Sequence, residues 1–389
     1  MKKCVLGEVC TRLSSGKNLV ASKIFNYGKY PVYGANGIRG FTDAKNFEGE
    51  CAVIGRQGAY CGNVKYFRGQ AYMTEHAVVA ECNEHADARY LAYALSLLNL
   101  GRLSGQSAQP GLAVGDLALQ ELSLPDISEQ RKISAVLSAI EDKIALNRKR
   151  IATLEAMAKE IYDYWFVQFD FPDAHGRPYK SSGGAMVYNP DLKREIPKGW
   201  EVKPLGELMK TNASSYSDRT LPSRIQYIDI AAVSNGAVSS KTEYDKDRAP
   251  GRARRIAKRG DTIWSSVRPN LKAYALVLNP QEGDVFSTGF TVLSPVDVPY
   301  GFLYLAVTAE AYVSYLVSRA GNSAYPAVLP SAFGEYEITV PPRDLLDRFA
   351  DQTERMFELR QNCFDEIQSL SSLRDFLLPL LMNGQVKVG

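Results

Sequence analysis

From Ser128 the apolar positions settle into a helical step: Ile133, Leu137, Ile140, Ile144, Asn147, Ile151, Leu154, Ala158, Ile161 and Trp165 follow one another at intervals of four and three. That spacing keeps one narrow face apolar and predicts a coiled-coil seam. Asn147 is its one polar member; it would fix register at some cost in stability, or else sit solvated. Asp126 or Ser128 can cap the start, and Phe171-Pro172 is expected to stop the helix. A second long helix, about Asp344 to Met382, carries Phe349, Met356, Cys363, Ile367, Leu370, Leu377 and Leu381 at matching positions. Thr353, Arg360 and Arg374 interrupt this stripe, so Leu359, Phe364 and Leu373 are expected to share the packing.

The pattern before each helix is different. Short β-rich runs at Cys51 to Gly55, Gly62 to Phe67 and Ala77 to Glu81 precede a helix near Ala88 to Leu100 and a last strand at Leu119 to Leu124. The second half repeats the plan, with strands at Ile225 to Ala231, Asp261 to Ser265, Lys272 to Leu278 and Phe290 to Leu293, then a helix at Phe302 to Ser318. The resulting division is 1–125, a first α/β module; 126–170, a helical spacer; 171–200, a Pro- and Gly-rich linker; 201–342, a second module; and 343–389, a second helical spacer.

The chain also repeats itself in letters. Gly105-Gln106-Ser107-Ala108-Gln109-Pro110 returns as Gly321-Asn322-Ser323-Ala324-Tyr325-Pro326, 216 positions later, and Leu6-Gly7-Glu8 opens the first half as Leu205-Gly206-Glu207 opens the second. Two modules, each followed by a long helix that needs a partner, predict an α+β fold: two α/β domains separated by an antiparallel two-helix coiled coil, with a pseudo-twofold internal repeat. The alternative is that each helix packs on its own module. Helices of this length reach ~57 Å at 1.5 Å per residue. Modules at the two ends would be held at most about that far apart.

Composition adds limits. With 45% hydrophobic residues the chain can build cores, and a net charge of +3 leaves any polyanion contact to local patches. Six cysteines without a CxxC pair suggest neither a zinc site nor disulfides, which fits a reducing, cytoplasmic setting. The start, Met1-Lys2-Lys3-Cys4-Val5-Leu6, is cut by Gly7-Glu8 too early for a signal peptide, and no membrane span is expected. Ser15-Gly16-Lys17 lacks the leading glycine of a phosphate loop, and His76, His85 and His175 have no triad context. No catalytic activity, metal or cofactor is expected in this chain.

Reading DNA needs Arg or Lys for guanine, Asn or Gln for adenine, and cations for phosphates. In the first module Tyr33, Asn36, Arg39, Arg56, Gln57, Lys65 and Arg68 lie in Gly-rich stretches, with Tyr60 beside them; ordinary turn chemistry is the alternative. In the second, Arg248, Arg252, Arg254, Arg255, Lys258 and Arg259 crowd around Pro250-Gly251 and suggest phosphate contacts, with a solvated loop as the alternative. Ser266, Arg268, Asn270 and Lys272 follow a strand, and Arg268 and Asn270 are the preferred base readers there. Modules reading different sequences should agree where they scaffold, so the repeated loop is structural, although Ser107 and Ser323 could hold a phosphate.

Several segments resemble type I restriction-modification specificity (S) subunits. They are Leu124-Pro125-Asp126-Ile127-Ser128-Glu129-Gln130-Arg131-Lys132-Ile133, Ile161-Tyr162-Asp163-Tyr164-Trp165-Phe166-Val167-Gln168-Phe169-Asp170-Phe171-Pro172, Ile196-Pro197-Lys198-Gly199-Trp200-Glu201 and the close Leu377 to Val388. Tyr30 to Gly40 and Ile54 to Ala59 resemble one type of that family's target recognition domain. The second half departs in having Pro342-Arg343-Asp344 where the first has Glu129-Gln130 after its proline, and the first lacks a counterpart of Trp200. The resemblance implies a non-catalytic subunit whose two domains read the halves of an asymmetric bipartite site in double-stranded DNA. It further implies that the helices dock two methyltransferase (M) subunits, that motor-nuclease (R) subunits join for restriction, and that these partners use S-adenosylmethionine, ATP and Mg. Two other classes fit the residues: a stand-alone DNA-binding regulator or antirestriction decoy, and a coiled-coil protein adaptor.

Overall fold

Along Phe47–Gly55, Ala52 and Ile54 point to one side while Cys51 and Val53 point to the other, and all four are buried. A strand apolar on both faces belongs inside a sheet that is covered twice. In this computed structural model, which describes residues 1–104, 111–321 and 326–389, that strand is central in a six-stranded sheet. The chain divides into two units, residues 1–145 with 368–389, and residues 146–367.

In the first unit the strands are β1 (Lys2–Val5), β2 (Cys10–Ser15), β3 (Tyr30–Gly34), β4 (Gly37–Thr42), β5 (Phe47–Gly55), β6 (Val64–Met73), β7 (Ala77–Cys82) and β8 (Glu121–Leu124). The large sheet has the order β2-β7-β5-β6-β3-β4, and β1 pairs with β8 to clasp the start of the module to its end. Helices α1 (Ala88–Ser96) and α2 (Val114–Ala118) lie on the Ala52/Ile54 side. There Tyr90, Leu91 and Leu95 share a core with Ile133 and Leu137 of α3 (Ile127–Tyr162), and with Leu381 and Met382 near the C-terminus of the chain. The opposite face is sealed by Phe47, Phe67, Met73 and Tyr33.

The second unit contains the hairpin β9 (Met186–Asn189) and β10 (Arg194–Pro197), then β11 (Glu201–Pro204), β12 (Met209–Thr211), β13 (Arg224–Ile228), β14 (Val233–Ser234), β15 (Ala237–Val238), β16 (Thr242–Asp245), β17 (Ala253–Arg255), β18 (Thr262–Ser265), β19 (Tyr274–Leu276), β20 (Asp284–Ser287), β21 (Phe290–Pro295) and β22 (Glu337–Val340). One four-stranded sheet, β12-β21-β18-β19, matches β2-β7-β5-β6 strand for strand, and β11 clasps β22 as β1 clasps β8. The first module extends this common core with β3 and β4, whereas the second adds a separate sheet, β16-β13-β20-β17.

The long helix α6 (Arg343–Met382) meets the end of α3 in this second unit. Tyr162, Trp165 and Phe166 pack on Phe349, and Asn147 Nδ2 donates to Glu366 Oε2 at 2.6 Å, so the helices run antiparallel. Ile140, Ile144, Asn147 and Ile151 are buried; Leu154, Ile161, Met356, Ile367, Leu370 and Leu377 are half-buried. The expected interruptions of the second stripe are a correction. Thr353 and Arg360 are 0% and 1% exposed and belong to the seam, while Leu359 and Leu373 face solvent at 41% and 45%. Thr353 hides its hydroxyl on Phe349 O at 2.9 Å, and Arg360 is paired on several sides.

Three further expectations change. Residues 171–200 form a folded segment in place of a linker: Phe171 stacks on Tyr179 at 4.5 Å and on Trp200 at 5.3 Å, and Asp170 accepts bonds from the amide and hydroxyl of Ser181. The helical path out of α3 ends at Gln168, before Phe171-Pro172, after one wide turn over Asp163–Val167. The single helix expected at 302–318 is two, α4 (Tyr300–Thr308) and α5 (Glu310–Arg319), bent by 60° where Ala309 is extended. Thr308 Oγ1 donates to Tyr304 O there, competing with the helical ladder. Among the described residues no single helix is long and apolar enough to cross a membrane.

Candidate nucleic-acid interface

The two common sheets share more than strand order. Ile54 pairs with Val64 across β5 and β6, and Trp264 pairs with Tyr274 across β18 and β19, 210 positions later. The bonds beyond follow the same register. Gly55 N donates to Asn63 O as Ser265 N does to Ala273 O, and Arg56 N donates to His76 O as Ser266 N does to Gly289 O. The residues after the repeated sequence motif are sewn to these hairpins in the same way: Leu112 N donates to Arg56 O at 2.9 Å, and Val328 N to Ser266 O at 2.8 Å. Each module thus presents one hairpin bend, Gly58 to Gly62 in the first and Arg268 to Lys272 in the second. Ser107 and Ser323 lie outside the described residues.

Around the first bend the structure brings together Asn36, Asn63 and Lys65. Lys65 Nζ donates to Asn36 O at 3.0 Å, and Asn63 Nδ2 to Asn36 Oδ1 at 3.4 Å. Arg39 lies across Gly34 beside them, and a Cβ on Gly55 would strike Ala35 O and Tyr60 O, so the β3–β4 turn rests on the bend. Gln57 Oε1 meets His76 Nδ1 at 2.9 Å on the same rim, and Arg56 donates Nε to Leu112 O, which ties its guanidinium to the scaffold. Asn63 and His76 were absent from the sequence candidates. Asn63 stands two residues before Lys65, on the same face of an alternating strand, and that spacing could have found it.

Two first-module candidates fall elsewhere. Tyr33 packs edge-on against Phe67 at 4.9 Å, and burial pushes its hydroxyl pKa up, so it serves the core. Arg68 lies across from Glu50, 3.3 Å away, and its odd spacing from Lys65 puts it on the other face of β6.

In the second module the expected single cationic patch is broken up. Arg254 pairs with Asp218, Arg255 donates to Ser215 Oγ at 3.0 Å with its pKa lowered by burial, and Arg259 bridges Glu358 on α6 at 2.8 Å. Each of these three has a partner within the protein, while Arg248, Arg252, Lys258 and Arg259 itself are exposed. Ser266 is likewise structural, its hydroxyl 2.8 Å from Thr291 Oγ1. Arg268, Asn270 and Lys272 do share one bend, with Asn270 exposed and Lys272 Nζ 2.5 Å from Glu310.

A family model described as the type I restriction modification DNA specificity domain matches residues 1–156. Over those residues the chain is similar to type I specificity subunits. Its similarity to the EcoprrI specificity subunit of Escherichia coli is 40% identity over 144 residues, which is 36% of this chain and 36% of that one. To the MjaIX specificity subunit of Methanocaldococcus jannaschii it is 26% over 292 residues, 74% of this chain and 65% of the relative. The alignments therefore span 36% and 65% of the lengths of these two type I relatives. The crystal structure of the type I S subunit from M. genitalium superposes with a TM-score of 0.68 over 98% of this chain and 95% of that one, at 17% identity, so the two chains share a fold.

Proposed function

We propose that this chain is the DNA sequence-reading subunit of a type I restriction-modification complex. Each module reads one half of an asymmetric bipartite site in double-stranded DNA, and the paired helices dock two methyltransferase (M) subunits, with restriction motor-nuclease (R) subunits joining them in the cytoplasm. The chain supplies no catalytic group; S-adenosylmethionine, ATP and Mg serve the partners. The observation that carries this reading is the hairpin built twice to one hydrogen-bond register, with different side chains at its bend: Gly58 to Gly62 against Arg268 to Lys272. A common scaffold with divergent tips is what two readers of different words require, since phosphate contacts position and base contacts specify. Exposed Arg248, Arg252 and Lys258 are assigned to phosphates, and Asn36, Arg39, Gln57, Lys65, Arg268 and Asn270 to base edges or adjacent phosphates.

The test is selection from a pool of randomised duplexes by the full chain purified with its methyltransferase. Two short fixed words around an unread gap of constant length are expected. Enrichment of a single uninterrupted word, or of none, would overturn the reading.

A further inference from the structure

Between Glu8 and Asp43 the chain carries five cations, Arg12, Lys17, Lys23, Lys29 and Arg39, and no carboxylate. Arg12 is used within the protein, 3.5 Å from Glu81. Lys17, Lys23 and Lys29 are all exposed, and among the described residues none of the three makes an ion pair; Lys29 Nζ lies 5.2 Å from the centre of the Tyr30 ring. They stand on the segment that joins β2 to β3, with Tyr27, 83% exposed, between the last two.

This segment forms one short turn, Ala21–Lys23, yet its path is fixed. Lys17 N donates to Met73 O at 3.0 Å, Tyr72 Oη to Asn18 O at 3.1 Å, and Phe25 and Phe41 exchange two backbone bonds of 2.8 Å. The last pair lays the segment along β4, the outermost strand of the large sheet. Gly40 makes room for it, because a Cβ there would strike Phe25 O at 2.7 Å. The lysines therefore flank the hairpin that carries Asn36 and Arg39.

Lysines at a sheet edge also guard it against pairing with other chains. A guard of that kind gains nothing from apolar side chains in water, whereas Val20, Phe25 and Tyr27 are exposed among these lysines. Ammonium groups and a phenol hydroxyl on a fixed backbone are phosphate-binding groups. The second module uses the corresponding loop differently. Residues 212–223, after β12, hold Asp218 and Arg219 as their only charges; Asp218 pairs with Arg254, and Leu221 is buried with Ile225 and Val285. Its exposed Arg248 and Arg252 come later in the chain.

We infer that residues 17–29 are the phosphate anchor of the first module, with Lys17, Lys23, Lys29 and Tyr27 holding the DNA backbone beside the half-site that the neighbouring hairpin reads. The inference rests on the DNA-reading function proposed above and adds the surface that sets the register of the first module on its half-site. The two modules thus hold the duplex through loops that are not equivalent in the common scaffold.

The experiment measures duplex affinity against salt for the full chain purified with its methyltransferase, as wild type, as Lys17→Gln/Lys23→Gln/Lys29→Gln and as the matching triple change to Arg. The probes are the duplex selected from the randomised pool and a scrambled duplex. Each lysine lost should lower the slope of log affinity on log salt by about 0.9, so the Gln triple should lower it by about 2.7. Between about 50 and 200 mM salt, wild type should then lose about 40-fold more affinity than the Gln triple. The Arg triple should keep the wild-type slope, and Tyr27→Phe should weaken both duplexes alike, by about three- to tenfold. All four positions are exposed, so unfolding midpoints should stay within about 3 °C of wild type. The randomised pool should still yield both words with the Gln triple.

An unchanged slope in the Gln triple, with only its solubility reduced, would overturn the inference and leave the lysines as edge guards. Loss of a base position from either word would also overturn it, by making them readers in place of anchors. A wild-type chain that enriches no bipartite motif would instead refute the function on which the inference rests, an outcome separable because it appears without any substitution.

Discussion

Arg360 on α6 donates Nε to Glu155 Oε1 on α3 at 2.6 Å, and its Nη2 reaches Gly236 O at 2.6 Å. One side chain, 1% exposed, thus joins both long helices to the β14–β15 turn of the second unit. Its plane also lies over Phe364, 4.7 Å from the ring centre. Gly236 has φ of +86°, and a Cβ there would come within 2.3 Å of Arg360 Nη2, so the turn and the guanidinium fit only with glycine.

Removing one member of a buried charged pair leaves the other uncompensated, which costs about 3–5 kcal/mol when both are buried. Glu155 is 38% exposed and can rehydrate, so Arg360→Ala should cost nearer ~3 kcal/mol, read from urea unfolding. Arg360→Met, which keeps volume without charge, should recover most of that loss. An Arg360→Ala chain as stable as wild type would show that the junction is idle.

Trp200 holds the segment 171–200 in place through Phe166, Phe169 and Phe171. Trp200→Ala should cost about 3–5 kcal/mol and open Lys180, Lys193 and Lys198 to trypsin. Equal digestion of variant and wild type would mean that the segment is held by other contacts.

The thiols give a pH test. Burial raises Cys10 to about 11, and Cys51 and Cys82 to about 12, from an ordinary 9.0. A raised acid pKa means that the folded chain keeps protons which the unfolded chain releases first. Stability from these groups is therefore complete below about pH 9 and is lost progressively as pH climbs from 9 towards 12. Thermal midpoints should be level up to about pH 8 and fall above 9, and a thiol reagent at pH 8 should spare Cys51 until the chain unfolds. Rapid Cys51 labelling in the folded protein would contradict this.

Readout and anchoring separate by their salt dependence. Asn270→Ala should cost about 1–3 kcal/mol on the cognate duplex and relax one base position. Arg252→Ala should weaken all duplexes alike and lower the salt slope by about 1. Identical behaviour of the two variants would remove the distinction drawn between them.

Much of this was legible in the chain because alternation and 4-3 spacing are local signals. β5, β7, β18 and both long helices fall where the spacing of Cys51 to Gly55, Ala77 to Glu81, Asp261 to Ser265, Ile133 to Trp165 and Phe349 to Leu381 puts them. Partners across space were not legible. Arg360 reads as an interruption of a stripe until Glu155, Gly236 and Phe364 are beside it. The cations of 248–259 read as one patch, although strand pairing and α6 send Arg254, Arg255 and Arg259 to separate acceptors. The equivalence of Gly58 with Arg268 was hidden because the offset is 210 in the hairpin and 216 in the repeated motif, a shift visible only from backbone bonds.

The most direct measurement is a map of N6-methyladenine across the genome of cells carrying this gene together with the methyltransferase gene of the proposed complex, against cells lacking this gene alone. The account predicts methylation at one bipartite motif that vanishes with the gene. A motif unchanged by the deletion would contradict it.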